Sequence, residues 1–335
     1  MDVSIVIATY NRCAMLTGVL EQLCRQQVPA GVTWEVLVVD NNSTDATPHV
    51  GARFAGRLPI RVIREPTPGK SHALNTGLDA SPAEWVLFTD DDVELPEGWL
   101  AAYVEGMARY PDAAFLGGPV VQRFPEGSSE FWQRAAAEVL EVRLAFTVAG
   151  EGLEEGLQQQ AEMGLFPGAN FAMRRRIRQR FCTRVGPMPG GHWILEEILL
   201  QTQAVADGER LAFLPAAAVY HPVPVSRQSH AYLRHYHYWA GRSAIRVSTE
   251  PHGMRVYDEF FRGYTENWPS RPRLFGVPRV YWRVLARACA AWSRGLFGDW
   301  RRGLQGEADA ALVWGMVVEA GRQRRSGSGI RDGAR

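Results

Sequence analysis

The chain has 335 residues, 46% hydrophobic and 22% charged, which excludes a disordered or collagen-like polymer and allows one large domain or a domain with an appended helical region. Its four cysteines (Cys13, Cys24, Cys182, Cys289) form no CxxC pair or tight cluster, which argues against a zinc site or disulfide framework and for a reducing compartment. The net charge of +1 hides an asymmetry: residues 251–335 carry 15 arginines against 8 acids, a net +7, and the first 250 residues are net −6.

The N-terminal Met1-Asp2-Val3-Ser4 has no basic region and only a short apolar stretch, so it reads as a first strand rather than a signal peptide. No apolar run approaches the roughly 18–20 residues of a membrane span. Val3–Ala8 is a buried-strand run, followed by a helix from about Ala14 to Gln26 with Leu16, Val19, Leu20 and Leu23 on one face. Trp34–Val39 is a second strand, and Ser43 or Thr44 can cap a helix from Asp45. Pro59–Ile63 reads as a strand, Ser71–Asp79 as a helix and Glu84–Phe88 as a fourth strand. Strands alternating with helices imply right-handed βαβ units and a doubly wound, mostly parallel α/β sheet.

Further along, 129–146 reads as helical and 150–162 as a connection. A helix is expected over Leu195–Asp207, strands at Arg210–Phe213 and Ala217–Tyr220, and mostly helix from Gln228. The domain reading is 1–225 for the α/β unit, 226–322 for a C-terminal helical region and 323–335 for a disordered tail.

In open α/β sheets ligands gather outside the carboxyl ends of the strands. Thr9-Tyr10-Asn11-Arg12, Asp40-Asn41-Asn42-Ser43 and Asp90-Asp91-Asp92 all follow strand ends and should share one edge. Three adjacent carboxylates repel one another unless a cation sits among them, and a hard divalent ion bound with substrate phosphates suits them. Pro68-Gly69-Lys70-Ser71 precedes a helix, where amides and an ammonium favour phosphate, but it lacks the upstream glycine of a Walker A loop. Lys70 is the only lysine. Asn75, a turn further on, is open between cap and ligand contact. Glu196-Glu197 begins an amphipathic helix, with one of the two read as a first-turn acid stabilised by the helix dipole.

The segments SIVIATYNR, VVDNNSTD, PGKSHALNTGL, FTDDDVELPEGWL, FPGANFAMRR, LEEILL and AVYHP, in this order over residues 3 to about 222, resemble glycosyltransferase family 2. The resemblance implies a GT-A fold, Rossmann-like with a C-terminal helical extension, and an inverting enzyme using a nucleotide-diphosphate sugar of UDP or GDP type. It implies Thr9, Tyr10, Arg12, Asp40, Lys70, Asp90 and Asp91 at the nucleotide, with Gly168, Ala169 and Asn170 lining the donor and acceptor side. It puts Asp92, with His221, at Mg²⁺ or Mn²⁺. The family usually shows Glu-Asp where this chain has Glu196-Glu197, so Glu197 becomes the candidate base and Glu196 stays open beside it. A carbohydrate or lipid-linked acceptor in bacterial polysaccharide or glycolipid assembly is implied, with a cytoplasmic location that allows peripheral contact at the inner face of the cell membrane.

Arg279, Arg283, Arg287 and Arg294, interleaved with Tyr281, Trp282, Leu285 and Trp292, form a basic stripe that suits either an anionic membrane surface or a capping helix with a solvated face. A sugar-phosphate nucleotidyltransferase is the alternative enzyme reading, but it wants a Gly-rich loop where Thr9-Tyr10-Asn11-Arg12 stands. A non-catalytic nucleotide-sugar-binding protein is the other. Nucleic-acid binding is disfavoured by the acidic balance of the half that holds the site.

Overall fold

The computed structural model describes residues 1–147, 149–150, 153–158, 166–189, 191–192, 194–253 and 298–325, with 273–274, 277–278, 282, 285–286, 288–291 and 293 between them. Arg279, Arg283, Arg287 and Arg294 lie outside the described residues. The chain forms two compact units that interleave in sequence. The first takes Met1–Arg123, Thr147–Pro189 and Glu196–Pro222; the second takes Phe124–Phe146, Gly190–Leu195 and Val223–Arg335. The sequence reading drew one boundary at residue 225, whereas here the helical stretch before residue 147 groups with the second unit.

The first unit begins with β1 (Val3–Thr9), α1 (Cys13–Leu23), β2 (Trp34–Asp40), the single turn α2 (Thr47–Val50) and β3 (Ile60–Arg64). It continues with α3 (Lys70–Ala80), β4 (Trp85–Thr89), α4 (Trp99–Arg109), β5 (Ala113–Gly117) and β6 (Val120–Arg123). The helix expected from Asp45 is cut to α2, because Asp45 turns back to accept the Thr47 amide at 2.9 Å. After α5 (Glu130–Glu138) and α6 (Leu140–Ala145) of the second unit come β7 (Gly156–Gln158), β8 (Asn170–Arg174), α7 (Glu196–Ala206), β9 (Arg210–Phe213) and β10 (Val219–Pro222).

Eight strands form one sheet in the order β3-β2-β1-β4-β8-β5-β9-β7. β1 pairs in parallel with β2 and β4, so Thr9 stands opposite Asp40 and Ile7 opposite Thr89. Three strands therefore end at one rim. Val3, Ile5 and Ile7 face one apolar layer and Val6 the other, the period-2 alternation of a strand buried on both faces. α3 packs tightly on β1 at Gly77, where a Cβ would lie 2.5 Å from Val6 Cγ1.

The sheet is mixed rather than purely doubly wound. β8 runs antiparallel between β4 and β5, pairing Asn170 with Thr89, and so delivers its N-terminal end to the same rim. β7 adds an antiparallel strand inside the stretch expected to be a plain connection. β6 and β10 form a separate parallel pair, and a bridge from Tyr220 to Glu94 sets β10 beside the segment after the aspartates. At the far edge of the large sheet, β3 exposes Arg61, Val62 and Arg64.

The second unit is helical among its described residues apart from a two-residue strand pair. Its longest elements are α8 (His230–Val247), capped by the Ser229 hydroxyl accepting the Tyr232 amide, and the C-terminal helix Trp300–Arg325. The two approach closely at glycines: a Cβ on Gly241 would lie 1.9 Å from Leu312 O, and one on Gly315 would lie 1.9 Å from Tyr238 O. Glu319, buried at this contact, accepts from Arg242 and Arg246 at 2.7 Å each. The C-terminal helix runs to Arg325, two residues beyond where a tail was expected to begin.

Candidate active site

The strand-end segments meet through long-range polar contacts. Thr9 donates its hydroxyl to Asp91 at 2.7 Å, which joins the ends of β1 and β4. Arg12, expected at the nucleotide, points instead at the acids. Its Nη1 donates to Asp91 Oδ1 at 2.8 Å and to Asp92 Oδ2 at 2.7 Å, so one cationic nitrogen bridges neighbouring carboxylates. Burial works against the Arg12 charge, but Asp91 and Asp92 outweigh it and raise its pKa. Asp91 is 3% exposed, and burial pushes its carboxyl up to about 6 despite Arg12 and Thr9.

Asp40 is buried at the end of β2 and accepts the Ser43 amide at 3.2 Å, an Asx-type turn. Tyr10, beside it in the rim, is 55% exposed. Asn41 does more than shape its own turn. Its amide donates to the carbonyls of Glu65 and Thr67 and accepts from the Gly69 amide at 2.7 Å, tying the loop after β3 to the start of α3. No pattern in the sequence flagged this role, because its partners lie 24 to 28 residues away.

The start of α3 is not an open phosphate cradle. The Gly69 amide goes to Asn41, and the Lys70 amide donates to Pro187 O at 2.7 Å. Ser71 donates to Val185 O, and Asn75 pairs with both backbone groups of Phe181, which settles Asn75 as a cap for that segment. The Lys70 ammonium turns to Asp90 Oδ1 at 2.5 Å. Burial lowers its pKa, but Asp90, Glu196 and Glu197 together raise it above the ordinary range.

α7 brings the two glutamates to the same place. Glu197 Oε1 accepts the Gly168 amide at 3.1 Å, and its Oε2 is buried with no hydrogen-bond partner among the described residues. Glu196 is 4% exposed; burial and then the Glu197 charge push its carboxyl up to about 8, with Lys70 opposing. Burial likewise raises Glu197, again against Lys70.

The expected sugar-side segment divides. Gly168 sits at the base, whereas Ala169 is 2% exposed and Asn170 is 0% exposed. Asn170 Oδ1 accepts from Trp99 Nε1 and from the Tyr103 hydroxyl at 2.9 Å each, and its Nδ2 donates to the carbonyls of Pro119 and Ala217. All four hydrogen bonds of the amide are committed. Asn170 therefore braces the scaffold, its amide turned to Trp99, Tyr103, Pro119 and Ala217.

His221 Nε2 lies 3.8 Å from Asp92 Oδ1. No group of three or more His, Cys, Asp or Glu side chains is gathered to hold a metal among the described residues. Two observations nonetheless fit a divalent cation: the Arg12 nitrogen marks a position where positive charge meets Asp91 and Asp92, and His221 adds an imidazole beside Asp92. Carboxylate oxygens of this kind, together with substrate phosphate, are donors that suit Mn²⁺ or Mg²⁺.

A profile of glycosyl transferase family 2 matches residues 4–181, which hold β1 through β8 and the aspartate rim. The chain belongs to glycosyl transferase family 2. The succinoglycan biosynthesis protein ExoM of Rhizobium meliloti (strain 1021) is 28% identical over 265 residues, covering 76% of this chain and 78% of that protein. Among solved structures, the mannosyltransferase PcManGT from Pyrobaculum calidifontis, in complex with GDP-Man and Mn²⁺, superposes with a TM-score of 0.57 at 21% identity over 93% of this chain and 86% of that one. TarS 1–349 of S. aureus in complex with UDP gives a TM-score of 0.52 at 18% identity over 98% and 92%. These likenesses show the fold, the GT-A glycosyltransferase fold with helices at its C-terminal side.

Proposed function

We propose that this family 2 chain transfers a sugar from a nucleoside diphosphate sugar to an acceptor hydroxyl with inversion, with Glu197 as the base. The observation that carries the reading is the Glu197 carboxylate, one oxygen held by Gly168 and the other buried without a partner among the described residues. A buried lone pair left unbonded costs about 1–3 kcal/mol unless a ligand meets it. An acceptor hydroxyl meets it.

In the transfer the acceptor oxygen bonds to the anomeric carbon as the bond to the diphosphate breaks. The electron pair leaves with the nucleoside diphosphate, and the acceptor proton passes to Glu197 Oε2. Tyr10 offers an exposed ring on which a base can stack, with Asp40 at its side. Thr9 and Arg12 order the aspartates. Asp91, Asp92 and His221 would hold Mg²⁺ or Mn²⁺, which when bound supplies charge to neutralise the departing diphosphate. The acceptor class, carbohydrate or lipid-linked, takes support from the polysaccharide named for the Rhizobium relative. Peripheral contact with an anionic membrane takes support from the net +7 of residues 251–335. Among the described residues no helix is long and apolar enough to cross a membrane.

A thermal-shift panel of UDP and GDP, with and without Mn²⁺, tests the donor. At least one of them stabilises the protein and does so more strongly with the metal; failure of both with Mn²⁺ present sinks the donor assignment. Flotation with anionic liposomes tests the membrane contact, which an unbound protein would remove.

A further inference from the structure

Among the described residues the charges around the base do not balance. Lys70 is the chain's only lysine, and its side chain is 22% exposed. A Cβ on Gly168 would lie 3.6 Å from Lys70 Nζ and 3.7 Å from Glu197 Cδ, so the ammonium and that carboxylate flank one backbone position. Glu196 is pressed from the other side by Gly186, whose Cβ would lie 3.2 Å from Glu196 Cδ and 2.5 Å from Ser71 Oγ. Gly186 holds φ +91 there, a conformation open to glycine. Facing one another are thus Lys70 of α3, Asp90 after β4, Glu196 and Glu197 of α7, and the Gly168 amide. Among the described residues these three carboxylates face one ammonium, and burial disfavours the charged form of both glutamates.

We infer that Lys70 is a positioning residue for the base rather than a nucleotide ligand: pinned by Asp90, its ammonium keeps Glu197 a carboxylate with one oxygen uncommitted, while Glu196 keeps the remaining proton. The backbone supports this placement, since Pro187 and Asn41 take the amides that would otherwise turn the start of α3 toward phosphate. Burial raises both glutamates, with the Glu197 charge adding to the rise of Glu196, and Lys70 acts against both. Glu197 as base comes from the proposed function, and the experiment lets the two fail separately.

Carbodiimide coupling of an amine requires the protonated acid, so labelling at Glu196 and Glu197, read by peptide mass spectrometry from acid to alkaline pH, follows each proton. In the wild type Glu196 should stay reactive to higher pH than Glu197. Lys70→Met should move the Glu197 midpoint up by about one pH unit or more, a tenfold gain in proton affinity. Calorimetric binding of UDP and GDP with Mn²⁺ should change less than about threefold. Lys70→Arg should keep the Glu197 midpoint near the wild-type value. Glu196→Gln, a second route should Lys70→Met not fold, should leave the Glu197 midpoint near the wild-type value, because the acid it replaces is already neutral there. An unmoved Glu197 midpoint in a folded Lys70→Met protein overturns the inference, as does a Glu197 midpoint lowered by about one pH unit or more in Glu196→Gln, which would show Glu196 to be charged. So does a loss of UDP or GDP binding beyond about tenfold in Lys70→Met, which would return Lys70 to the nucleotide. A wild-type protein that binds neither nucleotide removes the donor reading, and the labelling still decides the role of Lys70.

Discussion

Asn170→Ala separates a scaffold residue from a sugar ligand. The substitution strands two buried donors, Trp99 Nε1 and the Tyr103 hydroxyl, and the Ala217 carbonyl, whereas Pro119 O keeps the Val219 amide. At about 1 kcal/mol for each unmet group, the low end of the usual cost, the loss is about 3 kcal/mol, before the cavity is counted. The space cannot collapse easily, because a Cβ on the neighbouring Gly118 would already lie 2.0 Å from Ala217 O. Thermal unfolding followed by circular dichroism measures it, and the midpoint temperature should fall by roughly 6–12 °C at 2–4 °C per kcal/mol. Nucleotide binding, measured below that midpoint, should survive. A variant destabilised by less than about 1 kcal/mol that nevertheless loses donor binding would refute the bracing role and put Asn170 at the sugar.

Three other outcomes are expected. Glu197→Gln should lower transfer by about 10²- to 10⁴-fold while leaving UDP or GDP affinity in place, as measured by product formation and calorimetry; full activity would remove Glu197 as base. In the second unit His237 is 4% exposed, donates to Glu141 O at 2.9 Å and has its pKa lowered by burial to about 4, against an ordinary 6.5. The unfolded chain therefore takes up a proton near its ordinary pKa while the folded one resists until about pH 4, so stability falls with falling pH across that window. The loss is about 3 kcal/mol, absent in His237→Gln, and urea titrations at several pH values check it. Glu319→Ala leaves a buried arginine cluster without its carboxylate and should cost about 3–5 kcal/mol by denaturant unfolding; a neutral result would show the cluster to be solvated.

The rim was legible in the sequence because its cause is local. Apolar runs such as Ile5-Val6-Ile7 and Val86-Leu87-Phe88 make buried strands, and the acids directly after them have nowhere to go but the strand ends. What escaped the sequence depends on partners far along the chain. The antiparallel insertion of β8 follows from pairing with β4, about 85 residues earlier, and no pattern within Asn170–Arg174 encodes its direction. Asn170 and Arg12 looked like ligand residues because their chemistry suits ligands. Their hydrogen bonds are spent on Trp99, Tyr103, Asp91 and Asp92, at separations of 67 to 80 residues. Glu196 and Glu197 could not be told apart by position, whereas packing separates them: Gly186 encloses one and Gly168 binds the other.

The outermost strand, β3, ends the sheet with a row of backbone groups that another chain could adopt. Arg61 reaches back to Glu35 and to Ala80 O, and Arg64 to Asn42, so two guanidinium groups lie along that border. An incoming strand would have to bury or dislodge these charges before it could zip on. The two arginines thus oppose strand addition at this border of an otherwise apolar sheet.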